Sequence, residues 1–372
     1  MENYFWLSVD NVGEEFMALV NGKGEKVEII VVSCKSKTIN RQLSFTINNS
    51  KTFVEKIGFL FKDFFKAVIL NLYDLDPRGY YPNNLEFCEA VREKFKAVKV
   101  PHFFLSAPLV ILSTSLITAK IYAKNGEKIL ILQFSPTSDV IISELTLTKK
   151  GYQISDYREI SADDLTANEN DGIMNFNCNP KGIILCDAPS SMKQLLKNSI
   201  LKNKKFFEFT KKDGQHVPEF LNEWTKWLMN KSFNKYFVIP YCMRNYDVSF
   251  SSNGTLHSLL NLNFGTNDYK EVLLQENCHQ NKITLMVDDE SFPTCKIEPI
   301  FLPSIQRLPQ KLDGIVKNKF PVVGFFHHTS VICTAENDKS NYEFLEAWNG
   351  MFFGTLPHPW MKIHETLSLF ND

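Results

Sequence analysis

No run of eighteen apolar residues occurs in this 372-residue chain, so no membrane-spanning helix is expected. An excess of charge is missing too. Lys and Arg number 41 against 42 Asp and Glu, a formal net charge of −1, so no global field points to nucleic acid. A basic-then-apolar leader is lacking, because Met1 to Asp10 is acidic and apolar. No secretion signal is expected, and the N-x-S/T sites at Asn48, Asn230 and Asn253 then carry no weight. The eight cysteines, Cys34, Cys88, Cys178, Cys186, Cys242, Cys278, Cys295 and Cys333, include no C-x-x-C pair. A cytoplasmic setting with reduced, buried thiols is the expectation. Ligand spacing is absent around Cys278-His279 and His327-His328, so no metal is expected. No Ser-His-Asp, H-E-x-x-H or G-x-x-x-x-G-K-[ST] pattern is present.

Glycine is missing where it matters most. Lys128 to Val140 has the frame of a phosphate-binding β-hairpin: an apolar strand, a turn, then a second strand with Ile141, Ile142 and Leu145. Such turns hold phosphate on exposed backbone N–H groups, which needs glycine for close approach. Here the turn carries Phe134, Ser135 and Pro136, and proline removes a donor outright.

What is present suffices for a large core: 44% of residues are hydrophobic and 13% aromatic, and the length suggests two to three domains. Strands are expected at Tyr4–Val9, Phe16–Val20 and Lys26–Val32, with Asn21-Gly22 as a hairpin turn. Phe53, Ile57, Leu60, Phe61 and Phe64 recur at helical spacing over 53–66. Next come a strand at Ala67–Leu72, a helix at Pro82–Lys96, a strand at Val100–Phe104 and a small-residue helix at Pro108–Ala123. After the hairpin, residues 161–179 read as an acidic, Asn-rich loop. A strand at Lys181–Cys186 and helices at Ser190–Leu201 and Pro218–Asn230 follow, with Trp224 and Trp227 as core. Beyond 232 short alternating runs dominate, the pattern of a β-sandwich or barrel: Tyr236–Tyr241, Tyr246–Phe250, Leu256–Leu262, Glu271–Gln275, Lys282–Val287, Lys296–Leu302 and Val322–Cys333. His327 and His328 fall in the last run and point to opposite faces. A helix is expected over Trp360–Phe370, and no internal repeat is evident.

The order of elements resembles the seventy-kilodalton heat-shock chaperone family. The resemblance rests on Leu7-Ser8-Val9-Asp10, on Ala107-Pro108 before the small-residue helix and on Leu132 to Val140 in place of D-L-G-G-G-T-F-D-V. It also rests on Ile184 to Met192 in place of V-L-V-G-G-S-T-R-I, and on Lys211-Lys212-Asp213 with the Trp224 helix. It implies a reduced α/β actin-like (ribonuclease H-like) two-lobed domain over 1–231, followed by a peptide-binding-like β-sandwich over 232–372 with a truncated or absent lid.

The departures from the family are systematic. Asp10 is followed by Asn11, Val12, Gly13, Glu14 and Glu15, and two carboxylates beside a triphosphate repel it. Of the second loop only Thr137 and Asp139 match. The adenosine-loop glycines become Asp187 and Ala188, the stacking arginine becomes Ser191, and the glutamate before the small-residue helix becomes Ala107. The stretches 33–52 and 161–180 are too short for the subdomains that close over nucleotide in the family.

A vestigial nucleotide cleft is therefore expected around Asp10, Gly13, Thr137, Ser138, Asp187 and Ser190. Asp10 is the sole catalytic candidate, and it equally suits a hairpin turn. Thr137 and Ser138 suit turns, and Asp187 and Ser190 suit a strand-to-helix cap. The lysines at 193, 197, 202, 204, 205, 211 and 212 read as a solvated surface. The function these features imply is a protein- or peptide-binding module without ATPase activity, cofactor, nucleic-acid or membrane partner. A weak ATP- and Mg-binding chaperone, in which Asp10 matters, is the alternative. An actin-like interaction protein is the second.

Overall fold

The computed structural model describes residues 13–135, 139–161, 180–198, 205–210, 215–252, 255–263, 265, 269–276, 279–300, 331–336 and 365–368. The chain divides between Pro240 and Tyr241 into two compact units.

The first unit holds two mixed five-stranded sheets. In the first, β1 (Phe16–Lys23), β2 (Lys26–Ser33) and β3 (Phe45–Ile47) form an antiparallel meander. Helix α1 (Ser50–Leu60) then leads to β4 (Phe65–Asn71), parallel to β1. Helix α2 (Asn84–Val98) leads to β5 (His102–Phe104), parallel to β4. Strand order is β3-β2-β1-β4-β5. After helix α3 (Ala107–Ala119) the same plan recurs. Strands β6 (Lys128–Phe134), β7 (Asp139–Thr148) and β8 (Gly151–Ser161) form a second antiparallel meander. Strand β9 (Gly182–Cys186) is parallel to β6, and β10 (Phe206–Phe209) is parallel to β9, with α4 (Ser190–Asn198) between them. The order is β10-β9-β6-β7-β8, and α5 (Val217–Met229) follows.

Two sheets of one connectivity in tandem are the two-lobed, actin-like plan that the resemblance implies. They also correct the expectation of no repeat. The copies share topology and not residues, because a sheet order is specified by hydrophobic pattern rather than by identity.

Local chemistry places the elements. Asn49 and Asn83 cap α1 and α2, accepting from the amides of Thr52 and Glu86. Phe16, Phe53, Phe61, Phe65 and Phe95 are buried together under these helices, with Phe61 and Phe95 rings 4.9 Å apart. Helix α3 is apolar on nearly every side, which requires burial all round. It packs on β9 and β10, while α5 crosses to β1, β2 and β4, and the two helices pack on each other. Each sheet is thus covered by the helix that follows the other.

Several elements depart from the sequence reading. Asn21 and Gly22 lie inside β1, paired with Glu28 and Val27, and the turn falls at Gly24-Glu25. Gly24 supplies the positive φ, of 55°, while Gly22 is needed for close packing: a Cβ there would stand 2.7 Å from Leu75 Cβ. Strand β10 was not expected from its lysine-rich surroundings. Residues 236–241 form no strand. Val238 makes an isolated parallel bridge to Tyr152, and Pro240 has no N–H with which to extend it. Tyr4–Val9, residues 162–179 and His327-His328 lie outside the described residues.

The second unit holds two antiparallel sheets. Strands β11 (Asn245–Ser252), β12 (Thr255–Leu262), β16 (Val331–Glu336) and β17 (Glu365–Ser368) take the order β12-β11-β16-β17. Strands β13 (Lys270–Glu276), β14 (His279–Val287) and β15 (Pro293–Ile300) form the other sheet, in the order β13-β14-β15. Residues 365–368 are a strand paired with β16, where a helix was expected; the edge of β16 satisfies their backbone groups. Tyr246, Val248, Leu260, Leu262, Ile283 and Leu285 are buried, and the Tyr246 hydroxyl donates to the Ser291 carbonyl at 2.5 Å. Cys34, Cys88, Cys186, Cys242 and Cys295 are free thiols, and burial pushes Cys242 up to about 11.

Candidate functional site

In open α/β sheets, ligands bind outside the carboxyl ends of the parallel strands. In this chain those ends are the β1–β2 turn with the end of β4, and the β6–β7 turn with the ends of β9 and β10. The two hairpin turns, at Gly24-Glu25 and after β6, are equivalent by topology.

The first hairpin is bridged by its own chain. Leaving β4, the segment 72–76 runs across Gly22 and Gly24. Leu75 makes a parallel bridge to Gly24, and the Asp76 amide donates to the Gly24 carbonyl at 2.7 Å. Leu75 and Leu72 side chains lie against the Cα of Gly22. Asn84 Nδ2 holds the segment in place by donating to the carbonyls of Leu72 and Leu75, at 2.9 and 2.7 Å. The leucines thus close on Gly22 inside the strand, while the side-chain position at Gly24 is open.

At the second turn the Ser135 amide donates to the Asp139 carbonyl at 2.8 Å. Phe134 is only 4% exposed. It belongs to an apolar cluster with Leu130, Leu132, Val140, Ile142, Ala188 and Leu196. Leu132, Phe134 and Ala188, which replace the polar or glycine residues of the resembled family, are therefore core.

Of the expected site residues, Asp187 and Ser190 are brought to this carboxyl edge. Gln133 of β6 pairs with Cys186 of β9, which places Asp187 beside the hairpin. Asp187 keeps a left-handed backbone (φ 53°), the conformation that favours glycine, and its amide donates to the Phe209 carbonyl at 2.9 Å. Ser190 is the exposed first residue of α4, so the position before the helix belongs to Pro189, whose carbonyl accepts from the Lys193 amide at 3.0 Å. Gly13 (φ 92°) stands before β1, at the opposite, amino edge of the first sheet. There Glu14 accepts from the Ser33 hydroxyl and Glu15 pairs with Lys66 at 3.2 Å. Asp10, Thr137 and Ser138 lie outside the described residues.

Sequence reading missed a polar group at the carboxyl edge of the first sheet. Asn71 Nδ2 donates to Asn21 Oδ1 at 3.2 Å, both residues being buried, and Asn71 Oδ1 has no partner among the described residues. Glu28 sits across from Asn21. Burial pushes its carboxyl up to about 7, against the opposing hydrogen bond from Asn21 and the charge of Lys23. Each asparagine was legible as a polar residue in an apolar strand, but their pairing across β1 and β4 was not. Among the described residues no group of His, Cys, Asp and Glu could hold a metal ion, and no helix is long and apolar enough to cross a membrane.

No protein-family model matches the chain, and no curated protein does. Among solved structures, YeaZ from Pseudomonas aeruginosa is similar at 7% identity and a TM-score of 0.27, over 58% of this chain and 92% of that one. A Bacteroides thetaiotaomicron protein with an actin-like ATPase fold and unknown function is similar at 9% and 0.29, over 56% and 98%. The PPX-GPPA enzyme of Aquifex aeolicus is similar at 10% and 0.23, over 47% and 69%. Similarity this low carries nothing about this chain, whose architecture rests on its own sheet order.

Proposed function

We propose that this protein is a nucleotide-silent relative of the seventy-kilodalton heat-shock chaperones that works as a protein- or peptide-binding scaffold. The observation that carries the reading is the apolar cluster at the second hairpin, which takes in Phe134 and Ala188. A phosphate loop works through open backbone amides, and at the first hairpin Leu75 packs on Gly22 and bridges Gly24. The second turn directs Phe134 into the core, where the family has glycine.

In this reading the first unit is a rigid scaffold, and the β-rich unit is a sandwich that takes an extended peptide by strand addition. The alternative of weak ATP binding draws on Asp187, which keeps a glycine-like backbone at the same edge. Melting with and without millimolar Mg·ATP or Mg·ADP separates the two. Ligand at a hundred times its Kd adds about 2.7 kcal/mol, worth a few degrees in Tm. No shift with either nucleotide is expected. A clear shift with one of them would replace the silent reading with the ATP-binding one.

A further inference from the structure

We propose that the outer edge of β8 pairs antiparallel with the same edge of a second copy of this chain, joining the second sheets of two molecules into one. Strand β8 is the outer strand of its sheet and runs eleven residues, whereas the outer strands β3 and β10 have three and four. Native sheets keep exposed edges short, because an edge is a template for another strand. Val238 bridges Tyr152 at the start of β8, and among the described residues no strand lies beyond 153–161. Tyr157 is the centre of that stretch. Leu147 bonds toward β6, through the Gly126 amide and the Glu127 carbonyl. Backbone direction alternates along β7, so Ser143 bonds toward β6 as well. Tyr157 stands opposite Ser143 and therefore turns its amide and carbonyl outward.

The side chains select the occupant. A two-fold axis normal to the sheet must pass through one residue, since residues facing each other across a ladder share a face. Placed at Tyr157, the axis sets Tyr157 against itself, Asp156 against Arg158, Ser155 against Glu159 and Ile154 against Ile160. Moved to 156, 158 or 159, it sets a charged residue against its own copy, and like charges directly opposite destabilise a pair. Arg158 already pairs with Asp156 of its own strand at 2.5 Å. Pairing about Tyr157 extends that contact into a ring of four alternating charges and opposes no existing one. Tyr157 is 41% exposed, and two such rings meet at the centre. The bulge that sets Asp156 opposite Glu144 and Ile154 opposite Leu145 keeps the ladder short, so association is expected in the micromolar range. The edge lies in the first unit and does not rest on peptide binding by the second.

The test is sedimentation of the full chain over roughly 5 to 500 μM, where a monomer–dimer equilibrium is expected. Arg158→Asp gathers four acidic groups at the centre and is expected to weaken the dimer about tenfold or more. Asp156→Arg/Arg158→Asp exchanges the two charges and is expected to restore it, which a loss through some other surface would not allow. If melting shows either charge variant to be unfolded, Tyr157→Cys takes its place. A short bis-maleimide is expected to join Tyr157→Cys into a dimer, but not the parent chain or Gln153→Cys, whose residue faces Ser161. A chain that stays monomeric throughout overturns the proposal. So does a dimer that the folded Arg158→Asp leaves unchanged, a folded charge exchange that fails to restore it, or equal cross-linking at 153 and 157.

Discussion

Glu28 projects from β2 on the same face as Asn21 and Asn71, at the edge where a cleft ligand would sit. Its folded pKa of about 7 lies above the ordinary 4.5 because burial penalises the charged form. Between those values the unfolded chain releases a proton that the folded chain keeps. Folding stability therefore falls as pH rises from about 4.5 to about 7, and the loss persists above that. Glu28→Gln removes the penalty, so its Tm advantage over the parent is expected to be larger at pH of about 8 than at about 5. An equal difference at both pH values would show that Glu28 titrates normally. Asp187 shows the limit of reading single residues. The loss of a glycine was legible, whereas the retained left-handed backbone was not, because φ is set by the strand and helix that the residue joins.

At the scale of elements, the β1–β2 hairpin and the segment crossing it act together. The dipeptide Asn21-Gly22 has the chemistry of a turn, yet it lies in a strand because Leu75 demands a residue without Cβ at 22. Gly22→Ala puts two Cβ atoms 2.7 Å apart and is expected to cost about 1–3 kcal/mol, by overpacking. Leu75→Gly removes the clashing Cβ, so the double variant should lose less than the sum of the two single losses in chemical denaturation. Strict additivity would mean that the leucine does not press on the turn. The amphipathic helices α2 and α5 were legible from periodicity, and so was α1, although it spans Ser50–Leu60 rather than 53–66 because Phe61 is already extended (φ −111°, ψ 107°). Strand β10 was not, because four residues hold too short a pattern.

At the scale of the molecule, the crossing of α3 and α5 interlocks the two sheets of the first unit, so neither half has a complete core alone. The first stretch of that unit ends at Pro240. Tyr236, Phe237 and Val238 are buried, and the Tyr152 amide and carbonyl bond to Phe237 and Ile239 at 2.7 Å each. A fragment of residues 1–240 is expected to melt in one cooperative transition. Ending it at 231 removes three buried side chains, worth about 3 kcal/mol or more together, and should lower Tm by several degrees. Equal melting of the two fragments would place residues 232–240 outside the unit.

The sequence by itself determined that the chain alternates strands and helices through its first 230 residues and turns to short β-strands after that. It also determined that its second hairpin cannot present a glycine-rich phosphate cradle. Those properties are local: period, turn chemistry and the absence of a donor at Pro136 are written into neighbouring residues. Tertiary structure decided the rest. Only the folded sheet shows that the plan occurs twice, that Gly22 serves packing rather than turning, and that Gly13 lies at the amino edge of the first sheet. It is also the sheet that puts Asn21, Asn71 and Glu28 together. These features depend on contacts between residues some fifty positions apart, such as the 3.2 Å bond between Asn71 and Asn21, and no local pattern encodes a partner that distant.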